Sequence, residues 1–422
     1  HETPNLDRLA AEGMRFTQAT AMSVCSPARA AILTGKHPAR LGMTTWREGS
    51  FSTSVARPDR KLIEADSAHD LARSEQTLAE LLQSVNYRTL HVGKWHLGDA
   101  DDSPESHGFE INIGGTHWGA PESYFWPFRG EHGFREYRYV PGLGLGRPGQ
   151  YLTDRLTDEA VKLIEEVKDQ QFFLNLWHHA PHSPIEGKPE LVEHYRAKLK
   201  PGLRHANPDY AAMIHSLDES VGRVLDHLDH LGLADRTVVV FTSDNGGSIN
   251  VNRGQTVTSN APLRSGKGSL YEGGLRVPLL IRWPGKIPAN TRCEVPVTCM
   301  DLFRTIAELA GADGTSGVDG VSLVPLFKHA GASRPARDLH FHYPHYYPTT
   351  TPVSAIRSGD WKLFEYLEDG RVELYDLARD PGELNNLASE RAERVESLVR
   401  KLRAWRIAVD ARMPRPRGDE NR

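Results

Sequence analysis

Two hydrophobic rhythms alternate along the chain. Leu6, Leu9 and Ala10 share one helical face behind Thr3 and Pro4, a good N-cap and first helical position, and Gly13 supplies a stop. A short strand follows at 14–17. Thr77-Leu78-Ala79-Glu80 has capping-box form, Leu78, Leu81, Leu82 and Val85 continue at helical spacing, and a strand at 88–92 follows directly. Residues 172–177 form a continuous apolar strand. A long amphipathic helix at 208–231 leads into a β-branched strand at 237–242. A buried strand at 277–283 and a helix at 301–310 complete the series.

Helices alternating with fully apolar strands predict an α/β fold with a mostly parallel sheet covered on both faces. Such sheets bind ligands beyond the carboxyl ends of their strands. The pattern changes after about Arg334. Short strands at 340–343, 355–357, 362–366 and 372–375, with turns at Gly359-Asp360 and Asp369-Gly370, predict a smaller antiparallel sheet, closed by a helix at 389–409. The expected division is a catalytic domain over 1–334 and a C-terminal α+β subdomain over 335–422. Residues 101–150 are rich in Gly, Pro and aromatic residues without periodicity and predict a long, site-shaping loop region.

Composition narrows the function. With 39% hydrophobic and 25% charged residues in 422, the chain is that of a globular protein with a large core. A net charge of -4 and the lack of a basic tract argue against nucleic acid as a partner. No apolar run is long enough to span a membrane. Three cysteines make no disulfide framework; Cys293 and Cys299 either pair locally or stay as thiols, and Cys25 stands apart.

Chemistry gathers at strand ends. In Cys25-Ser26-Pro27-Ala28-Arg29, continuing to Leu33-Thr34-Gly35, Ser26 is a natural N-cap, Pro27 a first helical residue and Gly35 a stop. Cys25 is thus expected at the positive end of a helix, which favours anions and lowers a thiol's pKa. Gly93-Lys94-Trp95-His96 follows the strand at 88–92, Ala180-Pro181-His182-Ser183-Pro184 follows 172–177, and Ser243-Asp244-Asn245-Gly246 closes 237–242. Gly266-Lys267-Gly268 precedes Tyr271-Glu272-Gly273-Gly274-Leu275-Arg276-Val277-Pro278. His178, His179 and His182 raise zinc as an alternative, which Pro181 disfavours by breaking their spacing.

C-x-P-x-R with L-T-G, followed by these four segments, resembles the formylglycine-dependent (type I) sulfatase family, arylsulfatase-like members of the alkaline-phosphatase-like superfamily. The likeness runs from Thr3 to about Leu387. It implies that a separate formylglycine-generating or anaerobic sulfatase-maturing enzyme oxidises Cys25 to formylglycine, whose hydrated form attacks sulfur. It implies that Lys94 and Lys267 bind sulfate, His96 hydrogen-bonds the diol, His182 protonates the leaving alcohol, and Arg29 points toward the diol. Asp244 and Asn245, with the oxygen on residue 25, are implied ligands of a divalent metal, Ca2+ ahead of Mg2+. Asp244 also matches the residue that takes the proton of the attacking hydroxyl.

The implied substrate is a sulfated carbohydrate or an aryl sulfate, and the implied location periplasmic or secreted. The aromatic stretches at 118–126 and 340–347 either stack on that substrate or pack between sheets. The resemblance also places an Asp-Asp metal pair shortly before the segment that begins at Glu2, so the natural protein is expected to start earlier. A phosphate or phosphonate ester hydrolase, and an inactive binder of sulfated ligands, are the competing readings.

Overall fold

The computed structural model describes residues 1–132, 136–252, 254–328 and 337–418. Helix α1 (Pro4–Ala11) starts where predicted, but Thr3 makes no side-chain cap. The Asp218 carboxylate takes the free Asn5 and Leu6 N–H groups instead, at 3.1 and 2.8 Å. Strand β1 (Met14–Phe16) follows, then α2 (Cys25–Thr34), whose cap position is Val24. Ser26 is therefore inside α2 and not its N-cap. Its hydroxyl donates to the His96 carbonyl and accepts the Arg47 N–H. Gly35 ends α2 at φ 66°, as read from the sequence.

The Thr77 capping box is present at the head of α3 (Leu78–Gln83), and β2 (Arg88–Gly93) follows. Next come β3 (Ile111–Ile113), α4 (Leu152–Val167), β4 (Phe172–Trp177), α5 (Pro208–His230) and β5 (Val239–Thr242). Strands β2, β3 and β4 form a parallel sheet in the order β3-β2-β4. The region 101–150 thus contributes a strand that the sequence did not announce, because three residues are too few to show a period.

Strands β6 (Leu279–Arg282) and β7 (Thr291–Cys293) join β1 and β5 in the order β7-β1-β6-β5. Here the parallel expectation holds only in part: β6 runs antiparallel to both neighbours. Among the described residues β4 and β5 are not paired with each other. They meet instead under helices, where Phe172, Leu174 and Val239 pack on Ile164, Leu228 and Leu233. Helix α6 (Asp301–Ala310) spans the residues predicted. Cys293 and Cys299 are not joined by a disulfide.

The C-terminal strands β8 (Asp338–Tyr343), β9 (Val353–Ser358), β10 (Trp361–Tyr366) and β11 (Val372–Asp376) form an antiparallel meander. One face packs on Leu270, Tyr271 and Leu275, and the other on Leu398 and Leu402 of α7 (Ala392–Ala408). The expected boundary at 334/335 lies outside the described residues. Between the two sheets Lys362 is fully buried, with Glu272 Oε1 at 2.7 Å and Glu383 Oε1 at 3.0 Å. The meander is thereby fixed to the segment that carries Lys267.

Candidate active site

The carboxyl ends of β2, β4 and β5 lie together, and the start of α2 faces them. Gly93 and Trp177 are paired at the ends of β2 and β4, and Lys94 N–H donates to the Trp177 carbonyl at 2.7 Å. Gly93 has φ 103°, and a side chain there would run into that carbonyl, so the turn into Lys94 requires glycine.

Cys25 sits in the first turn of α2, only 1% exposed. Its sulfur receives Lys267 Nζ at 3.3 Å and lies 3.6 Å from Asn245 Oδ1. Asn245 Nδ2 donates to the Gly246 carbonyl, which turns Oδ1 toward the sulfur. Burial alone would raise the thiol's pKa. The positive charges of Lys267 and Lys94, helped by His182 and His96, hold it well below its ordinary value. The positive field at this point favours negative charge, as a sulfate ester would need.

Arg29, one helical turn along α2, ties the walls together. Its Nε and Nη2 donate to Asp244 Oδ2 at 3.0 and 2.8 Å, and its Nη1 donates to the Lys94 carbonyl at 2.9 Å. The guanidinium lies 4.7 Å over the Trp177 ring. Lys94 is 2% exposed. Its burial pulls the ammonium's pKa down, and the Cys25 thiolate opposes that.

His182 Nε2 lies 3.1 Å from Lys267 Nζ, and its Nδ1 lies 3.0 Å from the Ser183 carbonyl. An ammonium and a carbonyl assign the imidazole as neutral, with hydrogen on Nδ1 and a lone pair toward Lys267. Burial and the two lysines push its pKa down accordingly. His178 and His179 stand apart from the Cys25 contacts. His178 Nε2 bonds Ser220 Oγ at 2.8 Å, and no group of three metal-binding side chains forms among the described residues. That result also bears on the zinc alternative: the three histidines do not converge.

Asn245 places one hard oxygen beside Cys25, and the neighbouring Asp244 carboxylate, held by Arg29, supplies a second at the end of β5. Calcium takes roughly six to eight oxygens, so the two fit part of a cation site and do not complete one.

All eight residues singled out in the sequence, Cys25, Arg29, Lys94, His96, His182, Asp244, Asn245 and Lys267, fall in this one cluster. Three further side chains join them. Glu48 Oε2 lies 2.6 Å from His96 Nε2. Tyr347, which reaches from the C-terminal meander, packs against Gly268 next to Lys267. Thr349 Oγ1 donates to the Lys267 carbonyl at 2.9 Å. Glu48 and Thr349 sit in no motif or periodic segment, whereas Tyr347 belongs to the aromatic stretch 340–347. Of the two aromatic stretches, 118–126 gives a buried Tyr124 that donates to the His182 carbonyl, which is packing beneath the site.

Comparison with known proteins agrees with this geometry. Residues 1–312 match the sulfatase family, and residues 266–408 match the N-sulphoglucosamine sulphohydrolase C-terminal family. A curated sulfatase of Formosa agariphila is 30% identical over 97% of this chain and 84% of its own. Human N-acetylgalactosamine-6-sulfatase is 32% identical over 94% of this chain and 79% of its own. Among solved structures, Ps i-CgsB in complex with k-i-k-neocarrahexaose superposes with a TM-score of 0.76 at 28% identity, covering 96% of this chain and 87% of that one. A buried cysteine flanked by the charges of two lysines at the strand ends, on a chain matched along most of its length, has one consistent assignment: the protein belongs to the sulfatase family, on the alkaline-phosphatase-like fold, and is a sulfuric ester hydrolase.

Proposed function

We propose that the protein removes sulfate from a sulfated carbohydrate, with residue 25 acting as formylglycine and a divalent cation, calcium foremost, at Asp244 and Asn245. The carrying observation is the Cys25 sulfur itself, buried, 3.3 Å from Lys267 and 3.6 Å from Asn245.

Formylglycine supplies, as its hydrate, one hydroxyl that attacks sulfur and a second that lets the sulfate go, which a thiol cannot do. The cation would polarise sulfate oxygens and lower the pKa of that hydroxyl. The surrounding side chains do the rest. Lys94 and Lys267 face a monoanionic sulfate with two ammonium groups in a site where water does not screen them. Arg29 orients Asp244 through two hydrogen bonds. The Lys267–His182 pair lies on one side of residue 25. It serves the S–O bond that breaks: the alcohol leaves with a proton delivered from that pair.

Carbohydrate is favoured over aryl sulfate because one relative is named an N-acetylgalactosamine-6-sulfatase and one structural neighbour is a neocarrahexaose complex. A formylglycine-generating or anaerobic sulfatase-maturing enzyme is the implied partner. No helix among the described residues is long and apolar enough to cross a membrane.

The test is sulfate release from 6-sulfated N-acetylgalactosamine and from carrageenan oligosaccharides, by protein co-expressed with a maturing enzyme. Release by the wild type, and none by Cys25→Ala, is expected. Turnover of p-nitrophenyl phosphate without any sulfate ester would overturn the reading.

A further inference from the structure

Glu48 is held as firmly as the histidine it touches. Its Oε2 lies 2.6 Å from His96 Nε2, and its Oε1 accepts the Gly119 N–H at 2.9 Å. Both carboxylate oxygens are therefore occupied. Burial alone would raise the Glu48 carboxyl, but the His96 imidazole and the Gly119 N–H hold it well below the usual carboxylate range.

The ring is fixed on its other sides as well. His96 is 2% exposed and has φ 62°, its backbone N–H donates to the Thr116 carbonyl at 2.9 Å, and a Cβ on residue 119 would stand 2.5 Å from its Cε1. Ser26, the neighbour of Cys25, binds the His96 carbonyl at 2.9 Å and the Arg47 N–H at 3.0 Å. One hydroxyl thus ties the nucleophile's helix to His96 and to Arg47, the residue before Glu48.

A carboxylate only accepts hydrogen bonds, so the hydrogen of a neutral His96 sits on Nε2. Nδ1 is left with a lone pair. It is buried and has no hydrogen-bond partner among the described residues, while the imidazole lies close enough to Cys25 to draw the thiol's pKa down.

We propose that Glu48 is a positioning residue that fixes His96 as its Nε2–H tautomer, so that Nδ1 offers a lone pair to a hydroxyl on residue 25. The role of that lone pair rests on residue 25 being formylglycine; the tautomer does not. Carboxylates behind imidazoles select tautomer and orientation at other catalytic and metal sites.

Glu48→Gln separates this from simple packing, because it keeps shape and removes one acceptor. The Gly119 N–H claims the glutamine oxygen, which leaves the amide NH2 facing His96. The ring must then accept at Nε2 and carry its hydrogen on Nδ1, the wrong nitrogen. The first readout is the ring 15N shifts of 15N-histidine-labelled protein with Cys25 unconverted, His96 being assigned by its loss in His96→Asn. Wild type is expected to show hydrogen on Nε2, and Glu48→Gln on Nδ1. The second readout uses converted protein. The variant's kcat for sulfate release falls roughly 10- to 100-fold with KM within about two-fold, at unchanged conversion of Cys25 and unchanged melting temperature. An Nδ1–H ring in wild type, or an undiminished kcat in Glu48→Gln, overturns the proposal. If converted wild type releases no sulfate, the sulfate-ester reading fails, and the nitrogen shifts still decide the role of Glu48.

Discussion

Lys267 Nζ stands 3.3 Å from the Cys25 sulfur, across 242 residues of chain, and the two groups shift each other's protonation in opposite directions. Burial would weaken the ammonium; the Cys25 thiolate, Tyr347 and Asp244 more than offset it and raise the lysine's pKa. The same ammonium lowers the thiol's pKa. A pair of this kind is a preformed place for a negatively charged oxygen. Lys267→Ala is therefore expected to cut kcat for sulfate release by roughly 100- to 1000-fold, the usual scale for one electrostatic donor. Steady-state kinetics on matured protein checks this, with the peptide mass confirming that residue 25 is still converted.

Cys25 is buried at the base of the cluster, inside the first turn of a helix. On the proposed reading, a modifying enzyme reaches Cys25 only before the helix that encloses it has folded. Folded, unconverted protein incubated with the maturing enzyme is expected to stay a thiol, whereas an unfolded chain or a peptide of the same segment is converted. Peptide mass before and after incubation decides it; efficient conversion of the folded chain would contradict the burial.

Several histidines outside the site are buried as neutral rings. Burial pushes His91 and His345 down to about 3 and His342 down to about 4. Their folded pKa values lie below the unfolded value of about 6.5, so between those limits the unfolded chain binds more protons. Their contribution to stability is present above about pH 6.5 and is lost as pH falls toward 4, by up to about 1.4 kcal/mol per histidine per pH unit. The midpoint of urea unfolding should fall over that window. A midpoint flat from pH 6.5 to 4 would contradict it.

Lys362 is buried between Glu272 and Glu383, and Glu272 also receives Arg276. Removing the lysine leaves two carboxylates facing each other without their shared cation. Lys362→Met is expected to cost about 3–5 kcal/mol in urea unfolding, because it breaks a buried ion pair from one side. The double change Lys362→Met with Glu383→Gln should recover part of that loss.

The sequence disclosed what is local. The capping box at Thr77, the apolar run Phe172–Trp177 and the helix Asp301–Ala310 carry their reasons within a few residues, and the structure has them as read. The site residues were legible for the same reason: each sits in a short segment at a strand end, where the chemistry and the turn residues coincide. What escaped depends on contacts far apart in sequence. Glu48 meets His96 across 48 residues, and Thr349 meets Lys267 across 82. Ser26 looked like a helix cap because its neighbours fit that pattern, and its hydroxyl was instead taken by His96 and Arg47 from other segments. The antiparallel run of β6 could not be read from an apolar strand, since a strand buried on both faces looks alike in either direction.

The account stands or falls on residue 25. The direct measurement is the mass of the peptide containing Cys25, from protein co-expressed with a formylglycine-generating enzyme, taken alongside sulfate release from the same preparation. A peptide about 18 Da lighter than the thiol form, CHO in place of CH2SH, is predicted, with activity proportional to the converted fraction. A peptide that stays a thiol beside an active maturing enzyme, or sulfate release that does not follow conversion, would contradict it.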